Sequence, residues 1–365
     1  MKINILLPYK EKFDENEAAS VSITVKNNLL HSKYLDDIRI YGQSVKNPLF
    51  RNNFIGLKYS IFSLKSKNNF LAHKMLKIIL NDSDKRQLIE IHNRPYLVDK
   101  ISKVDKFPIS LFFHNDPQTM KGSKSIKERE NILEKCVAVF CVSKYIKNLF
   151  LEGVLKNKEK VHVLYNGVEI NKKKLPNKKK EILFVGRLVP EKGVHIYVEV
   201  IKIIAKKYPK WNFGLIGSFR LGNNESKNQY AEEVIKKFNI IGPQAKYYGF
   251  KDQRFVEKKM QEASIIIIPS LWQEPFGLVA AEAMSNGMAV IASRVGGIPE
   301  IIGENGVLIN DLNHKKLEKE ISKLIEKKSI LEKFQNKSRK NYEFDSKRIS
   351  NKLDLHRAKI MKNFL

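Results

Sequence analysis

Two glutamates, Glu274 and Glu282, stand with seven residues between them in the stretch EPFGLVAAEAMSNG, residues 274–287, of a chain otherwise rich in lysine. The preceding SIIIIPS reads as a buried strand, LWQEPFG as the turn at its carboxyl end, and LVAAEAM as a helix closed by Gly287. Ligands of open α/β sheets collect at the carboxyl ends of strands. Helix N-termini there offer free N–H groups and a partial positive charge, which suit phosphate. The amides of Phe276, Gly277 and Leu278 are the expected donors, with Gly277 allowing close backbone approach. Helical rise plus the turn places the two carboxylates roughly 10 Å apart. Carboxylates accept hydrogen bonds from hydroxyls, so a pair so spaced suits a sugar at one end of a diphosphate and a ribose at the other. Taken singly, Glu274 reads equally as a capping residue and Glu282 as a surface residue of the helix.

A second stretch supplies the complementary charge. FVGRLVPEKG, residues 184–193, reads as a strand running into a loop that carries Arg187 and Lys192. Arginine meets phosphate through its planar fork and lysine as a point charge. Negative charge grows on the phosphate oxygens as a leaving group departs, so two such cations also stabilise that transition state. A basic loop on its own is ordinarily solvated surface; its place at a strand end, beside the glutamate stretch, gives it chemical meaning.

Together with YYGF (247–250), these stretches resemble the C-terminal half of the group 1 (family 4) glycosyltransferases of GT-B fold, whose signature is a pair of glutamates with seven residues between. The resemblance is strong over about residues 160–310 and weak before them. It implies an α/β chain of two Rossmann-like domains with parallel sheets facing across a cleft. It also implies a retaining, metal-independent hexosyltransferase of the EC 2.4 class, with no cofactor beyond its nucleoside diphosphate sugar donor. By matching motifs, the catalytic set is His114, Glu274, Arg187 and Lys192. The donor is held by Arg187 and Lys192 at the diphosphate, Glu274 at the sugar hydroxyls, Glu282 at the ribose, and Phe276, Gly277 and Leu278 through their amides. The base is expected near Tyr248, Gly249 and Phe250. His114 ends the strand-like LFFHNDP and is placed near the reacting carbon. His92 and Arg94, in IEIHNRP, fall on the acceptor side, where Arg94 either meets an anionic acceptor or makes a structural ion pair. Where the family commonly has a glycine-rich loop after the first strand, this chain has Ala18, Ala19 and Ser20, small residues that stand on the same side. This loop and IEIHNRP look most like transferases of bacterial envelope polysaccharide, notably lipopolysaccharide core. The expected partners are therefore a UDP-linked donor and a glycan or glycolipid acceptor. The alternative is a non-catalytic nucleotide-sugar or glycan-binding protein of the same fold.

The elements that must position these residues alternate along the chain. INILLP, LIEIH, ISLFFH, VAVFCVS and VHVLYNG are candidate strands in the first half. EILFVG, NFGLIG, AKYYGF, SIIIIPS, MAVIAS and GVLIN are candidates in the second. Continuous rather than alternating apolar character marks strands covered on both faces, hence parallel sheets flanked by helices. SKYIKNLFLEGV, VHIYVEVIKIIAKKY and RFVEKKMQEA have helical spacing. The expected domains are 1–168 on the acceptor side, a solvated linker at 169–180, and 181–340 on the donor side. A helical segment at 341–365 is expected to pack back on the first domain.

The 365 residues suit two domains rather than one. The net charge of +28 comes mainly from lysine and reads three ways: composition bias with solvated lysines, attraction to an anionic membrane or acceptor, or nucleic acid. No arginine-and-aromatic pattern or nucleic-acid module accompanies it, so nucleic acid is not an expected partner. FLAHKMLKIILN is a candidate for docking to anionic lipid. Cys136 and Cys141 read as core thiols of a reducing compartment. The start is too short for a signal segment and no stretch is long enough to span a bilayer, which points to the cytoplasm, peripheral at the inner face of the membrane. A metal-dependent transferase would want Asp-x-Asp at a strand end, but DSD (82–84) follows a helical pattern. A nicotinamide dehydrogenase would want GxGxxG after an early strand, which is absent.

Overall fold

The computed structural model describes residues 2–15, 17–59, 63–104, 107–170, 175–219 and 228–364. The chain forms two compact units, Met1–Gly167 with Phe344–Leu365, and Val168–Glu343.

The first unit is a seven-stranded, all-parallel sheet. Its strands are β1 (Lys2–Leu6), β2 (Ile38–Gln43), β3 (Phe54–Leu57), β4 (Gln87–His92), β5 (Ile109–Phe113), β6 (Ala138–Cys141) and β7 (Val161–Val163), in the order β3-β2-β1-β4-β5-β6-β7. The central β4 and β5 are buried at every position, including Gln87, Glu90 and His92 of β4 and Ser110 of β5. The edge strand β3 and its neighbour β2, with arginine, tyrosine and glycine among their residues, carry too little continuous apolar signal to stand out in the sequence. Cys136 and Cys141 are buried free thiols, and burial pushes the Cys136 thiol up to about 12.

The last helix, Ser346–Phe364, completes this unit. Its Arg357 reaches Glu90 of β4 through two bonds of 2.8 Å and Asp354, one turn back, at 3.1 Å. Asp354 in turn accepts from Ser32 Oγ at 2.9 Å and from the Lys33 amide at 2.8 Å. All three charged side chains are at most 4% exposed, so removing any one leaves its partners buried and uncompensated. The helix Lys67–Leu80 also belongs to this unit, and it turns Phe70, Leu71, Met75 and Ile79 inward. The apolar face expected to meet lipid is thus spent on the core, leaving Lys67, Lys74 and Lys77 outside.

The second unit is a six-stranded parallel sheet of β8 (Lys179–Val185), β9 (Asn212–Ile216), β10 (Ala245–Gly249), β11 (Ala263–Ile268), β12 (Ala289–Ser293) and β13 (Val307–Ile309). The order is β10-β9-β8-β11-β12-β13. Strand order reverses between β8 and β11, which makes the carboxyl ends of these two neighbours the switch point where such sheets bind ligands. The helix Val194–Lys207 buries Val194, Tyr197, Val198, Ile201 and Ile204 at helical spacing and turns Lys202, Lys206 and Lys207 outward. It stops at Tyr208 because Pro209 follows, and a residue before proline is pushed out of helical geometry.

The stretch expected to be a solvated linker is built differently. Residues 171–174 lie outside the described residues, and Lys179 and Lys180 already belong to β8. Lys178 is turned inward, donating to the Met260 and Asn286 carbonyls at 2.9 and 2.6 Å. Both carbonyls lie at helix C-termini, whose unmet acceptors and partial negative charge attract a cation. Burial, with Arg339 nearby, pulls the Lys178 ammonium down to about 7.

Candidate active site

The loop after β8 and the loop after β11 are stitched together. Pro190–Lys192 forms a single tight turn ending at Gly193, whose φ is +65°. A Cβ there would lie 1.9 Å from the Pro269 carbonyl oxygen, so only glycine lets the two loops approach. The Leu271 amide donates to the Glu191 carbonyl at 2.8 Å. That approach brings Lys192 Nζ to 2.5 Å from Glu274 Oε1. Ser270 Oγ donates to the same carboxylate oxygen at 2.7 Å and sits 3.3 Å from the Glu191 carbonyl. A hydroxyl has one proton, and the shorter contact to the charged oxygen takes it. Glu274 is buried while Lys192 keeps about a quarter of its side chain exposed. The pair is therefore neither sealed nor free, and its ammonium also lies 5.6 Å above the Trp272 ring.

The loop after β12 holds this segment from the other side. The Gly297 amide donates to the Glu274 carbonyl at 2.7 Å, and the Gly296 amide to Gln273 Oε1 at 2.7 Å. Gly296 has φ +55°, and a Cβ on it would stand 2.1 Å from the Glu274 carbonyl oxygen. Gly277 caps the helix Leu278–Ser285, whose C-terminus ends with Gly287 in the left-handed region. Phe276 is buried, and the first-turn amides of Gly277 and Leu278 have no intrahelical acceptor by geometry.

Glu282 lies inside this helix among buried Ala280, Ala281 and Ala283. No cation or hydrogen-bond donor meets its carboxylate among the described residues. Burial, with Glu257 nearby, pushes it up to about 7. Arg187 is the opposite case: exposed, with buried Leu188 and Val189 anchoring the loop beside it, and without an acidic partner among the described residues. Of the residues expected at the base, Tyr248 packs at a tilt against Phe255, 5.4 Å between ring centres, with the ammonium groups of Lys246 and Lys259 at 5.3 and 5.1 Å from its ring centre. Lys259 itself is held by Glu181 at 2.6 Å. Gly249 borders open space, with nothing within 4 Å of where a Cβ would stand, and Phe250 is half-buried.

In the first unit, the ends of β4 and β5 hold a histidine pair. His92 Nδ1 lies 2.8 Å from His114 Nε2, and both rings are buried. His92 stacks on Phe112 at 4.4 Å between ring centres. The His114 amide donates to Asn93 Oδ1 at 2.8 Å, and the Asn93 amide to the Phe112 carbonyl at 2.9 Å. Burial pulls His114 down to about 4; burial, His114 and the Arg357 cation hold His92 well below the ordinary imidazole range. Arg94 Nη1 donates to the Asn93 carbonyl at 2.6 Å, and burial lowers its basicity.

Ala18 and Ala19 are half-buried and Ser20 is exposed at the start of the helix Ser20–Leu29. The neighbourhood holds a residue the sequence did not single out. Glu11 faces the first-turn amides of Val21 and Ser22 together with Arg94, and burial raises its carboxyl above the usual range. A carboxylate thus stands against the amides of the expected small-residue approach. Ser270, Trp272 and the Gly296–Gly297 brace were likewise not singled out, although Ser270 and Trp272 flank the strand end in the quoted stretch. Among the described residues no group of three or more His, Cys, Asp or Glu is placed to hold a metal ion. Asp82 of DSD is paired with Arg39. No helix among the described residues is long and apolar enough to cross a membrane.

Two parallel-sheet α/β units, with this switch-point site in the second, define a protein of the GT-B glycosyltransferase class. The Anabaena protein HepE, solved in complex with UDP, matches with a TM-score of 0.77 at 19% identity, over 98% of this chain and all of that one. Residues 167–341, just under half of the chain, match the family described as Glycosyl transferases group 1. An uncharacterised glycosyltransferase of Methanocaldococcus jannaschii is 37% identical over 196 residues, 53% of this chain and 50% of that protein. The lipopolysaccharide 1,2-N-acetylglucosaminetransferase of Salmonella typhimurium is 28% identical over 162 residues, 41% of this chain and 42% of that protein. The chain thus spans half or less of the length of these two curated relatives.

Proposed function

We propose that the protein transfers a hexose from a nucleoside diphosphate sugar, UDP-linked, to a hydroxyl of a cell-envelope glycan or glycolipid, with retention of anomeric configuration. The observation that carries this reading is the meeting of Lys192 with Glu274 at the carboxyl ends of β8 and β11, 82 positions apart in sequence. When donor enters, the diphosphate takes the ammonium of Lys192 and the open guanidinium of Arg187, and Glu274 turns to the sugar hydroxyls. Glu282, without a partner among the described residues, accepts from the ribose hydroxyls. As the bond from the anomeric carbon to the diphosphate breaks, the electron pair leaves with the nucleotide, the acceptor oxygen bonds that carbon on the same face, and the acceptor proton passes to the departing phosphate oxygen. Arg187, Lys192 and the amides of Gly277 and Leu278 meet that growing charge. In the first unit His114 serves the reacting sugar, and Arg94 with the 18–20 segment serves the acceptor. The charge is handled by side chains and backbone amides in this scheme, without a metal.

The Anabaena protein's complex with UDP supports the choice of donor base, and the Salmonella relative supports an envelope acceptor such as lipopolysaccharide core. The lysine excess supports work at the cytoplasmic face of an anionic membrane, through scattered charge rather than an apolar helix face. A thermal-shift panel of uridine, guanosine and adenosine diphosphates and their glucose conjugates tests the reading. UDP and UDP-glucose are expected to raise the melting temperature of the wild type and not of Glu282→Ala. No shift with any of the six rules the donor site out. A shift without UDP release, over a range of glycan acceptors, favours the non-catalytic binding protein.

A further inference from the structure

We propose that His92 is a positioning residue that fixes the tautomer of His114, so that His114 offers an N–H at Nδ1 and acts as a hydrogen-bond donor rather than a proton acceptor. The inference rests on the reading above for the importance of His114, and on the geometry of the pair for the tautomer.

At 2.8 Å, one of His92 Nδ1 and His114 Nε2 must donate and the other accept. His92 is 2% exposed, and its other ring nitrogen, Nε2, is sealed without a partner. Arg357, held on the neighbouring Glu90, is one of the groups that keep His92 neutral, so the ring carries a single proton. If that proton sat on Nε2, it would be a buried donor with nothing to donate to. Placed on Nδ1, it makes the observed bond and leaves only an unmet lone pair. Orphaned buried N–H groups are rarer than under-satisfied acceptors, so the proton belongs on Nδ1. His114 Nε2 is then the acceptor, and the one proton of a neutral His114 must sit on its Nδ1. This is the reverse of the form that predominates for an isolated histidine side chain in water.

The surroundings hold the pair in this register. His92 is clamped against Phe112, its direct neighbour across the β4–β5 ladder. His114 is tied by its own amide to Asn93, the residue after His92, whose φ of +52° folds it back over the end of β5. Neither ring can turn without losing a bond or a stack. A donor N–H on His114 suits an oxygen of a sugar hydroxyl or of a departing group. It does not suit removal of a proton from the acceptor.

Two-bond proton–nitrogen correlation spectra of the ¹⁵N-histidine-labelled wild type at neutral pH decide the tautomer without any substrate. The His114 resonances, assigned by their loss in His114→Gln, are expected to show a protonated Nδ1 and an unprotonated Nε2. A protonated Nε2 on His114 overturns the proposal. His92→Phe keeps the stack on Phe112 and removes the donor that holds His114 Nε2 as an acceptor, and is expected to leave the two His114 tautomers mixed. His92→Asn places an amide N–H near the position of Nδ1 and is expected to restore the Nδ1–H form. In UDP-glucose turnover, His92→Phe should lower kcat about tenfold, the weight of one oriented hydrogen bond, with KM within about twofold. His92→Asn should recover most of that loss. Equal losses in both variants, with the wild-type tautomer retained in both, also overturn it. Should His114→Gln turn over as fast as wild type, the assigned role of His114 fails, while the tautomer stands or falls on the spectra alone.

Discussion

Arg357 in the first unit and Lys192 in the second are both cations in contact with a glutamate, yet their surroundings give the two pairs opposite uses. Arg357 is 2% exposed, bonded through both edges of its guanidinium to Glu90 and Asp354, and sealed by the last helix. Lys192 touches Glu274 through one oxygen, shares that oxygen with Ser270, and keeps 24% of its side chain in solvent. A fully desolvated network has no exchange partner that would repay its disruption, so it works as a structural clasp. A half-exposed pair at a strand end is different, because an entering anion can take the lysine while the released carboxylate turns to hydroxyls. The degree of burial, more than the identity of the charges, separates holding the fold from holding a ligand. In the histidine pair of the first unit burial orients both rings, and the role proposed for His114 falls to the ring nitrogen that His92 does not engage.

Three experiments bear on this contrast. The largest effect is expected from Arg357→Ala, which leaves Glu90 and Asp354 buried without a counter-charge. It should lower unfolding stability by about 3–5 kcal/mol in denaturant titration. Lys192→Ala should instead leave the denaturation midpoint nearly unchanged and cut UDP-glucose turnover by about a hundredfold, roughly 2.7 kcal/mol of transition-state stabilisation. If both variants lose comparable stability, or Lys192→Ala turns over normally, the distinction drawn here fails.

The smallest effect is expected from Glu282→Gln. The folded state raises the Glu282 pKa to about 7 from an ordinary value near 4.5, so between those values the folded protein binds more protons than the unfolded chain. Wild-type stability from this group is therefore full below pH 4.5 and is lost as pH rises through 7. Glu282→Gln removes that loss and should be more stable than wild type at pH 8 by on the order of 2 kcal/mol, with the gap closing toward pH 5. UDP affinity should move the other way, with wild type binding more tightly as Glu282 ionises and the glutamine variant showing no such rise. Parallel pH profiles for the two proteins would remove Glu282 from the ribose.

What could be read from the chain divides along the same line. The β8 and β11 loops carry their chemistry in contiguous stretches, because a phosphate-binding strand end needs its glycine, its cation and its helix start within a few residues of one another. The largely apolar runs of β4, β5, β8 and β11 were equally plain, since strands covered on both faces are near-continuously apolar. The edge strand β3 and its neighbour β2 were not, being of mixed composition. The lysine-rich stretch near residue 178 looked solvated because nothing local shows that two helix C-termini lie waiting for Lys178.

The sequence by itself determined the two parallel-sheet units and most of the succession of strands and helices, and it alone singled out the residues proposed for the donor side, from Arg187 to Glu282, because periodicity and short-range motif spacing are properties of neighbouring residues. Only the tertiary structure decided that Glu90 is answered by Arg357 from 267 positions away, that His114 is met by His92, and that Glu11 stands against the first helix's amides. Those pairings arise where separate strand ends and the returning last helix converge. Which partner a buried polar group finds is a question of three-dimensional packing that no local pattern in the chain records.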